Sequence, residues 1–424
     1  MIDRVDKHRQ PSLCSATRRL YSPSFPRKTN ESRNWLTIVA LVLCLPALSY
    51  AQSPLSSAQD PLAGSHVFGA KGCSRCHSIN GLGGKVGPDL GLIRQTRSFN
   101  DLAAAMWNHL PQMAVEMKKQ GVSPPHLSPP EGGDLIAFLY TLNYFDGSGN
   151  TEAGKKLFNA KRCVMCHQIG GAGGVIGPSL DAVGQSASPL SVAAAMWNHG
   201  PRMSEAMRAR AISRPSLSAS ELGDLIAYLR SAVPELTTAP VTILPGSVNE
   251  GRALFQKKQC IKCHSIRGTG GDVGPDLGKR GLHRNVLEFA AALWNKAPAM
   301  MRAMKVKSVA VPPLTAEEMA DIVAYLRSFQ YFDEPGNPER GRQLLSQKQC
   351  TTCHSVYGTG GRSAPDLARL KGFGSQAAVI AALWNHVGVM AKGLPDRAAY
   401  WVPFTADEMT HLMGFFERPT RIER

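Results

Sequence analysis

Five residues, Cys73-Ser-Arg-Cys76-His77, recur three more times in this 424-residue chain, as Cys163-Val-Met-Cys166-His167, Cys260-Ile-Lys-Cys263-His264 and Cys350-Thr-Thr-Cys353-His354. Two thiols three positions apart, followed at once by an imidazole, suit one chemistry. The thiols form thioether bonds to the two vinyl groups of a porphyrin, and the imidazole ligates its iron. C-x-x-C-H is therefore read as a c-type haem attachment site. A single copy could arise by chance. Four copies imply four covalently bound haem c groups, with His77, His167, His264 and His354 as proximal iron ligands.

Each iron then needs its sixth position assigned. An Ala-rich helical run ends in Trp-Asn in every unit: Trp107-Asn108, Trp197-Asn198, Trp294-Asn295 and Trp384-Asn385. Six residues after each Trp stands Met113, Met203, Met300 or Met390, always 36 residues beyond the motif His. Thioether ligation opposite His raises the reduction potential and closes the site. Other series are incomplete. Met117, Met207 and Met304 face Leu394 in the fourth unit, and His109, His199 and His386 face Lys296 in the third. A Met at helical spacing also serves ordinary core packing, but the constant offset favours ligation. The Trp residues are expected as packing against haem or as propionate donors.

Around these residues one frame repeats. The first motif cysteines recur at intervals of 90, 97 and 90. Gly64, Gly154, Gly251 and Gly341 stand nine residues before them, and Phe68, Phe158, Phe255 and Leu345 five before. Four apart, these share one face of a short helix, and the Gly admits another helix closely. Each unit closes on an apolar run carrying Phe138, Tyr228, Tyr325 or Phe415. Three of these runs follow capped, acidic helix starts at Ser218, Thr315 and Thr405. In between, Pro88, Pro178, Pro275 and Pro365 each follow the motif His by 11. Such a turn could aim a backbone carbonyl at the His ring N–H, fixing ring orientation; a plain loop turn is the alternative.

The connections suggest pairs. Tyr144-Phe-Asp-Gly-Ser-Gly-Asn150 and Tyr331-Phe-Asp-Glu-Pro-Gly-Asn337 lie at matching places, whereas Val233–Asn249 is longer and rich in Pro, Thr and Val. The expectation is a duplicated two-haem module with a semi-extended hinge, haems one and two close together, likewise three and four. The boundaries are 1–51 signal peptide, 52–60 linker, 61–145 domain 1, 146–232 domain 2, 233–246 linker, 247–332 domain 3, 333–418 domain 4 and 419–424 tail.

Composition fits this frame. Hydrophobic residues make 43% and charged residues 19%, as in a globular protein. The N-terminus reads as an export signal, with Arg18, Arg19, Arg27, Lys28 and Arg33 before an apolar run at Leu36–Leu48 and then Ser49-Tyr50-Ala51. A spanning helix needs ~20 residues, so cleavage is expected rather than anchoring. Eight of the 10 cysteines serve the motifs; Cys14 and Cys44 lie in the leader. The charge of +16 falls to +11 without residues 1–51, which hold eight Lys/Arg and three Asp/Glu. Haem propionates would take it to about +3 to +7 according to iron oxidation state. The basic balance is thus compensation for cofactor carboxylates, and no nucleic-acid motif is present.

Together the Gly/aromatic first helix, C-x-x-C-H, the following Pro, the distal Met and the aromatic last helix resemble class I cytochrome c, from about residue 61 to about 418. The resemblance implies an all-α fold: four tandem cytochrome c-like domains, each a small helical bundle around its haem. It implies electron transfer, with no catalytic residue. The fourth unit departs most, with Ala364, Leu345, Gly388 and an insert near Tyr400-Trp401.

Three functions compete at this level. One is an electron carrier passing single electrons between redox protein partners in the periplasm or at the outer face of the cytoplasmic membrane. Another is a haem enzyme, peroxidase-like or thiosulfate-oxidising, with one open distal site. The third is a cytochrome subunit of a larger dehydrogenase or membrane-associated respiratory complex.

Overall fold

The computed structural model describes residues 59–93, 98–144, 149–185, 188–231, 245–279, 285–330, 336–393 and 401–417. The expected export segment, most of both linkers, the middle of the two matching connections, Tyr400 and the tail lie outside them. No helix among the described residues is long and apolar enough to cross a membrane.

Each domain follows one course. The opening helices are α1 (Pro61–Ala70), α4 (Thr151–Ala160), α8 (Val248–Lys257) and α11 (Pro338–Gln347). The long middle helices are α2 (Phe99–Lys119), α6 (Pro189–Arg208), α9 (Val286–Val306) and α12 (Gln376–Gly393). The closing helices are α3 (Pro129–Tyr144), α7 (Ala219–Ser231), α10 (Ala316–Ser328) and α13 (Ala406–Phe416). Domain 2 adds the short α5 (Asp181–Gln185). The strands are minimal antiparallel hairpins, such as Ser78–Ile79 with Leu82–Gly83.

The opening and closing helices cross as the sequence implies. A Cβ on Gly64, Gly154 or Gly251 would strike the backbone carbonyl of Asp134, Asp224 or Asp321 on the partner helix. One turn on, Phe68 meets Phe138 with ring centres 5.7 Å apart, Phe158 meets Tyr228 at 5.7 Å and Phe255 meets Tyr325 at 5.8 Å. Domain 4 buries Leu345 and Phe415 instead. A closing-helix side chain also accepts the N–H just ahead of each opening helix. Asp134 takes Asp60 N (2.8 Å), Asp224 takes Asn150 N (2.6 Å) and Asp321 takes Ser247 N (2.7 Å). In domain 4 His411 Nδ1 takes Asn337 N at 2.9 Å. The expected helix starts at Thr315 and Thr405 are complete capping boxes with Glu318 and Glu408.

The domain pairing differs from the sequence expectation. Extensive packing joins domain 1 to domain 4, through α3 on α12 and α2 on α13, and domain 2 to domain 3, through α6 on α9 and α10. The extensive packing is thus not between domains 1 and 2 or between domains 3 and 4, the pairs that the connections suggest. The reason lies in the middle helices, which present their Trp-Asn pairs outward to another domain rather than inward.

The two halves, domains 1–2 and 3–4, are related by a constant shift of 187 residues, the separation of Cys73 from Cys260 and of Cys163 from Cys350. Residues related by that shift meet face to face. Asp60 Oδ2 accepts from Ser247 Oγ at 2.8 Å and from Val248 N at 3.1 Å. The Arg327 guanidinium lies 4.8 Å from the Tyr140 ring centre. Contacts between equivalent positions mark a two-fold axis, and paired reciprocal contacts mark an isologous interface. The chain is thus a covalently joined pseudo-dimer of two-domain halves.

Candidate haem centres and the latch between domains

Each attachment motif begins as a single 3-10 turn: Cys73–Arg75, Cys163–Met165, Cys260–Lys262 and Cys350–Thr352. The residue before it is left-handed, with φ of 76° at Gly72, 61° at Arg162, 62° at Gln259 and 59° at Gln349. That reversal ends the opening helix and turns the thiols inward. The His amide closes the turn onto the first cysteine carbonyl at 3.0 Å in all four. The first cysteines are half-buried, and burial pushes the thiols of Cys260 and Cys350 up to about 11. None of the eight motif cysteines is in a disulfide.

The proline turn meets its expectation. The ring Nδ1 of His77 lies 3.0 Å from the Pro88 carbonyl oxygen, His167 2.9 Å from Pro178, His264 3.0 Å from Pro275 and His354 2.8 Å from Pro365. A carbonyl only accepts, so Nδ1 carries the proton and Nε2 keeps its lone pair for a metal. Gly87, Gly177 and Gly274 lie against the ring so closely that a Cβ would collide with it. Domain 4 has Ala364 there, and still makes the same backbone bond to Cys353 O, at 3.0 Å. The neighbouring carboxylates hold the hairpin tips. Asp89 accepts from the amides of Asn80, Gly81 and Gly91, and Asp276 and Asp366 repeat this.

Met113, Met203, Met300 and Met390 all lie half-buried on the middle helices. Met203 and Met300 pack on one apolar cluster together with Cys163 and Cys260, and Met113 and Met390 on another with Cys350. A prolines-in-helix feature accompanies three of them: Pro111, Pro201 and Pro298 stand two residues earlier. The residues present fit a haem: tethering thiols, an oriented His with a free nitrogen, and an apolar cluster that includes the Met side chains.

The Trp-Asn pairs do something the sequence reading missed. Trp107 Nε1 donates to Val402 O (2.9 Å) and Trp384 Nε1 to Pro125 O (2.7 Å), across the domain 1–4 interface. Trp197 Nε1 donates to Pro312 O (2.8 Å) and Trp294 Nε1 to Pro215 O (2.8 Å), across the domain 2–3 interface. The expectation of propionate donation is therefore corrected: the indole N–H is already engaged by the partner domain's backbone. Each neighbouring Asn then brackets a leucine or phenylalanine of the same segment. Asn108 pairs with Phe404, Asn198 with Leu314, Asn295 with Leu217 and Asn385 with Leu127, giving and taking one backbone bond each.

That segment runs just ahead of each closing helix and has no regular backbone partners of its own, so its polar groups need others. Between the carbonyls taken by Trp and Asn lies one taken from within the domain. Lys71 Nζ donates to His126 O (2.7 Å), Lys161 to Ser216 O (2.9 Å), Lys258 to Pro313 O (2.7 Å) and Lys348 to Pro403 O (2.8 Å). The same lysines pair with Glu131, Glu221, Glu318 and Glu408 at 2.7–2.9 Å. A lysine two residues before every first motif cysteine was the available signal. The segment thus ties each haem turn to the neighbouring domain.

Comparison with known proteins agrees with this geometry. The family model described as Cytochrome c matches four times, at residues 62–143, 151–232, 248–330 and 338–412. Among curated proteins the chain is similar to "Cytochrome c oxidase subunit 2" of Alkalihalophilus pseudofirmus, 32% identical over 91 residues, covering 20% of this chain and 26% of that protein. The chain thus matches about a quarter of that relative's length. No solved structure matches. With four family matches in tandem, each holding a C-x-x-C haem-binding motif, the chain belongs to the cytochrome c family, is built of four such domains with four covalently bound haem c groups, and works in haem-based electron transfer.

Proposed function

We propose that this chain is an exported tetrahaem carrier that relays single electrons between redox protein partners by outer-sphere transfer, with nothing bound and chemically changed. The four equivalent His Nδ1–carbonyl bonds carry this reading, since they hold each proximal ring fixed and leave Nε2 to take iron. Cys73 and Cys76, with their three counterparts, tether the porphyrins. His77, His167, His264 and His354 are the proximal ligands, and Met113, Met203 and Met300 close the first three sites, with Met390 the corresponding residue in the fourth. The bound haem supplies reversible one-electron chemistry; the chain supplies orientation, burial and axial ligands.

The leader composition supports export, and similarity to an oxidase subunit supports a respiratory partner at the outer face of the membrane. The test is spectroscopic. The purified oxidised protein is expected to be low-spin at every haem, to count four haems by pyridine haemochrome and to ignore cyanide. High-spin bands or ready cyanide binding in the untreated protein would instead support a haem enzyme with an open site.

A further inference from the structure

The fourth domain departs from the others on its distal side. Where α2, α6 and α9 carry Pro111, Pro201 and Pro298, α12 has Gly388, so it keeps the backbone bond that proline removes. The residue after Trp-Asn also behaves differently. His109 is exposed and its Nδ1 sits 2.8 Å from the Ala105 carbonyl of its own helix. His199 is exposed, and domain 3 has Lys296. His386 alone of this series is half-buried, and its ring centre lies 6.1 Å from that of His354, with the planes inclined by 54°.

That separation has a chemical meaning. An imidazole nitrogen sits about 2 Å from a transition metal and its ring centre about 1 Å further, so two imidazoles gripping one ion from opposite sides hold their centres about 6 Å apart. Rings in simple contact fall in a range of about 4.5–7 Å, so the distance needs support from what surrounds it. His354 is anchored through Nδ1 to Pro365 O at 2.8 Å, which keeps its other nitrogen for iron. His386 lies one helical turn before Met390, on the same face of α12. Among the described residues no hydrogen bond reaches its ring. The motif histidine and a second histidine are thus brought to a separation that one metal ion would bridge.

We propose that His354 and His386 together grip the iron of the fourth haem, with Met390 packed beside it, while the other three sites keep His and Met. This rests on the proximal-ligand reading given above. Because thioether ligation raises the potential and imidazole does not, the fourth site becomes the strongest reductant of the four.

The full-length oxidised holoprotein decides it. The Fe–S(Met) charge-transfer band at the red end of the visible spectrum is expected to match three haems, alongside an electron paramagnetic resonance signal of one bis-histidine haem. Met390→Leu should leave both unchanged. His386→Ala should abolish the bis-histidine signal and raise the lowest of the four potentials. A wild-type band matching four haems, or one that loses about a quarter of its intensity in Met390→Leu, overturns the assignment. Pyridine haemochrome separates the two readings: fewer than four haems per wild-type chain is a failure of attachment, whereas four haems with four Met bands is a failure of this ligand assignment alone.

Discussion

Trp401 Nε1 donates across two domains to the Trp107 carbonyl at 3.1 Å, while Trp107 Nε1 donates to the carbonyl of Val402, the residue after Trp401, at 2.9 Å. The two indole rings stack with centres 4.3 Å apart. The first bond exists because Pro111, four residues after Trp107, has no N–H to take that carbonyl. The position related by 187 residues repeats the device with other atoms. Pro298 frees the Trp294 carbonyl, Arg214 Nη2 reaches it at 3.3 Å, and the Arg214 guanidinium lies 3.3 Å over the Trp294 ring. Helix-breaking prolines thus create acceptors that fasten one domain to another.

Removing one of these indoles should loosen a single interface. Trp294→Phe keeps an aromatic ring but loses the indole N–H and its half-buried hydrogen bond, a change of about 1–3 kcal/mol. Trp294→Ala also opens a cavity, and about 3–5 kcal/mol is expected. Thermal unfolding followed in the Soret region checks both. Equal melting of the Ala variant and wild type would deny the latch a role in stability.

The pseudo-dimer makes an assembly prediction. Each cross-pair takes one domain from each half, so cutting the chain should not separate it. A specific protease site placed within residues 233–244 of the full-length holoprotein should, after cleavage, leave two fragments that co-elute in gel filtration and part only in denaturant. The axis contacts favour the mixed pair, since two N-terminal halves would set Asp60 against Asp60, where the native pair sets it against Ser247. Fragments that elute separately in native buffer would contradict the interface.

The helix crossing sets a steric limit. Gly251→Ala would drive a Cβ into the Asp321 carbonyl, with no flexible side chain to yield. Overpacking of this kind is expected to cost about 1–3 kcal/mol. Urea titration is the check, and Gly69→Ala, where a Cβ meets nothing, is the matched control.

One carboxylate gives a defined acid response. The Ser128 amide, then Lys71, hold Glu131 down from the usual carboxylate value of 4.5 to about 2. Its native pKa lies below its unfolded one, so its contribution is complete above about 4.5 and is lost as pH falls towards 2. Asp134 acts oppositely. Burial, then the Asp60 charge, raise it from 3.8 to about 6, so its contribution is greatest below about 3.8 and falls as pH rises towards 6. Glu131→Gln should therefore flatten the acid limb of a stability–pH curve between pH 4.5 and 2. An unchanged limb would show that neither the Ser128 amide nor Lys71 holds this carboxylate down in the folded chain.

The haem turns were legible in the sequence because attachment is local chemistry: two thiols, a histidine and a proline turn act within one short stretch, Cys73 to Pro88 in the first domain. The helix crossing was legible too, since Gly64 and Phe68 stand four apart on one face and their partners recur at fixed distance. The pairing of domains was not. Linker lengths pointed to neighbours along the chain, whereas packing joins Trp107 to Val402, 295 residues away. Such a contact is made to backbone carbonyls, which carry no residue signature, and its donor indole looks from sequence like any core tryptophan. The placing of His386 near His354 was likewise undecided by spacing, because His109 holds the matching position and turns to its own helix instead. Residue types and intervals determined what each domain holds; only the folded chain decided which domains, and which rings, face one another.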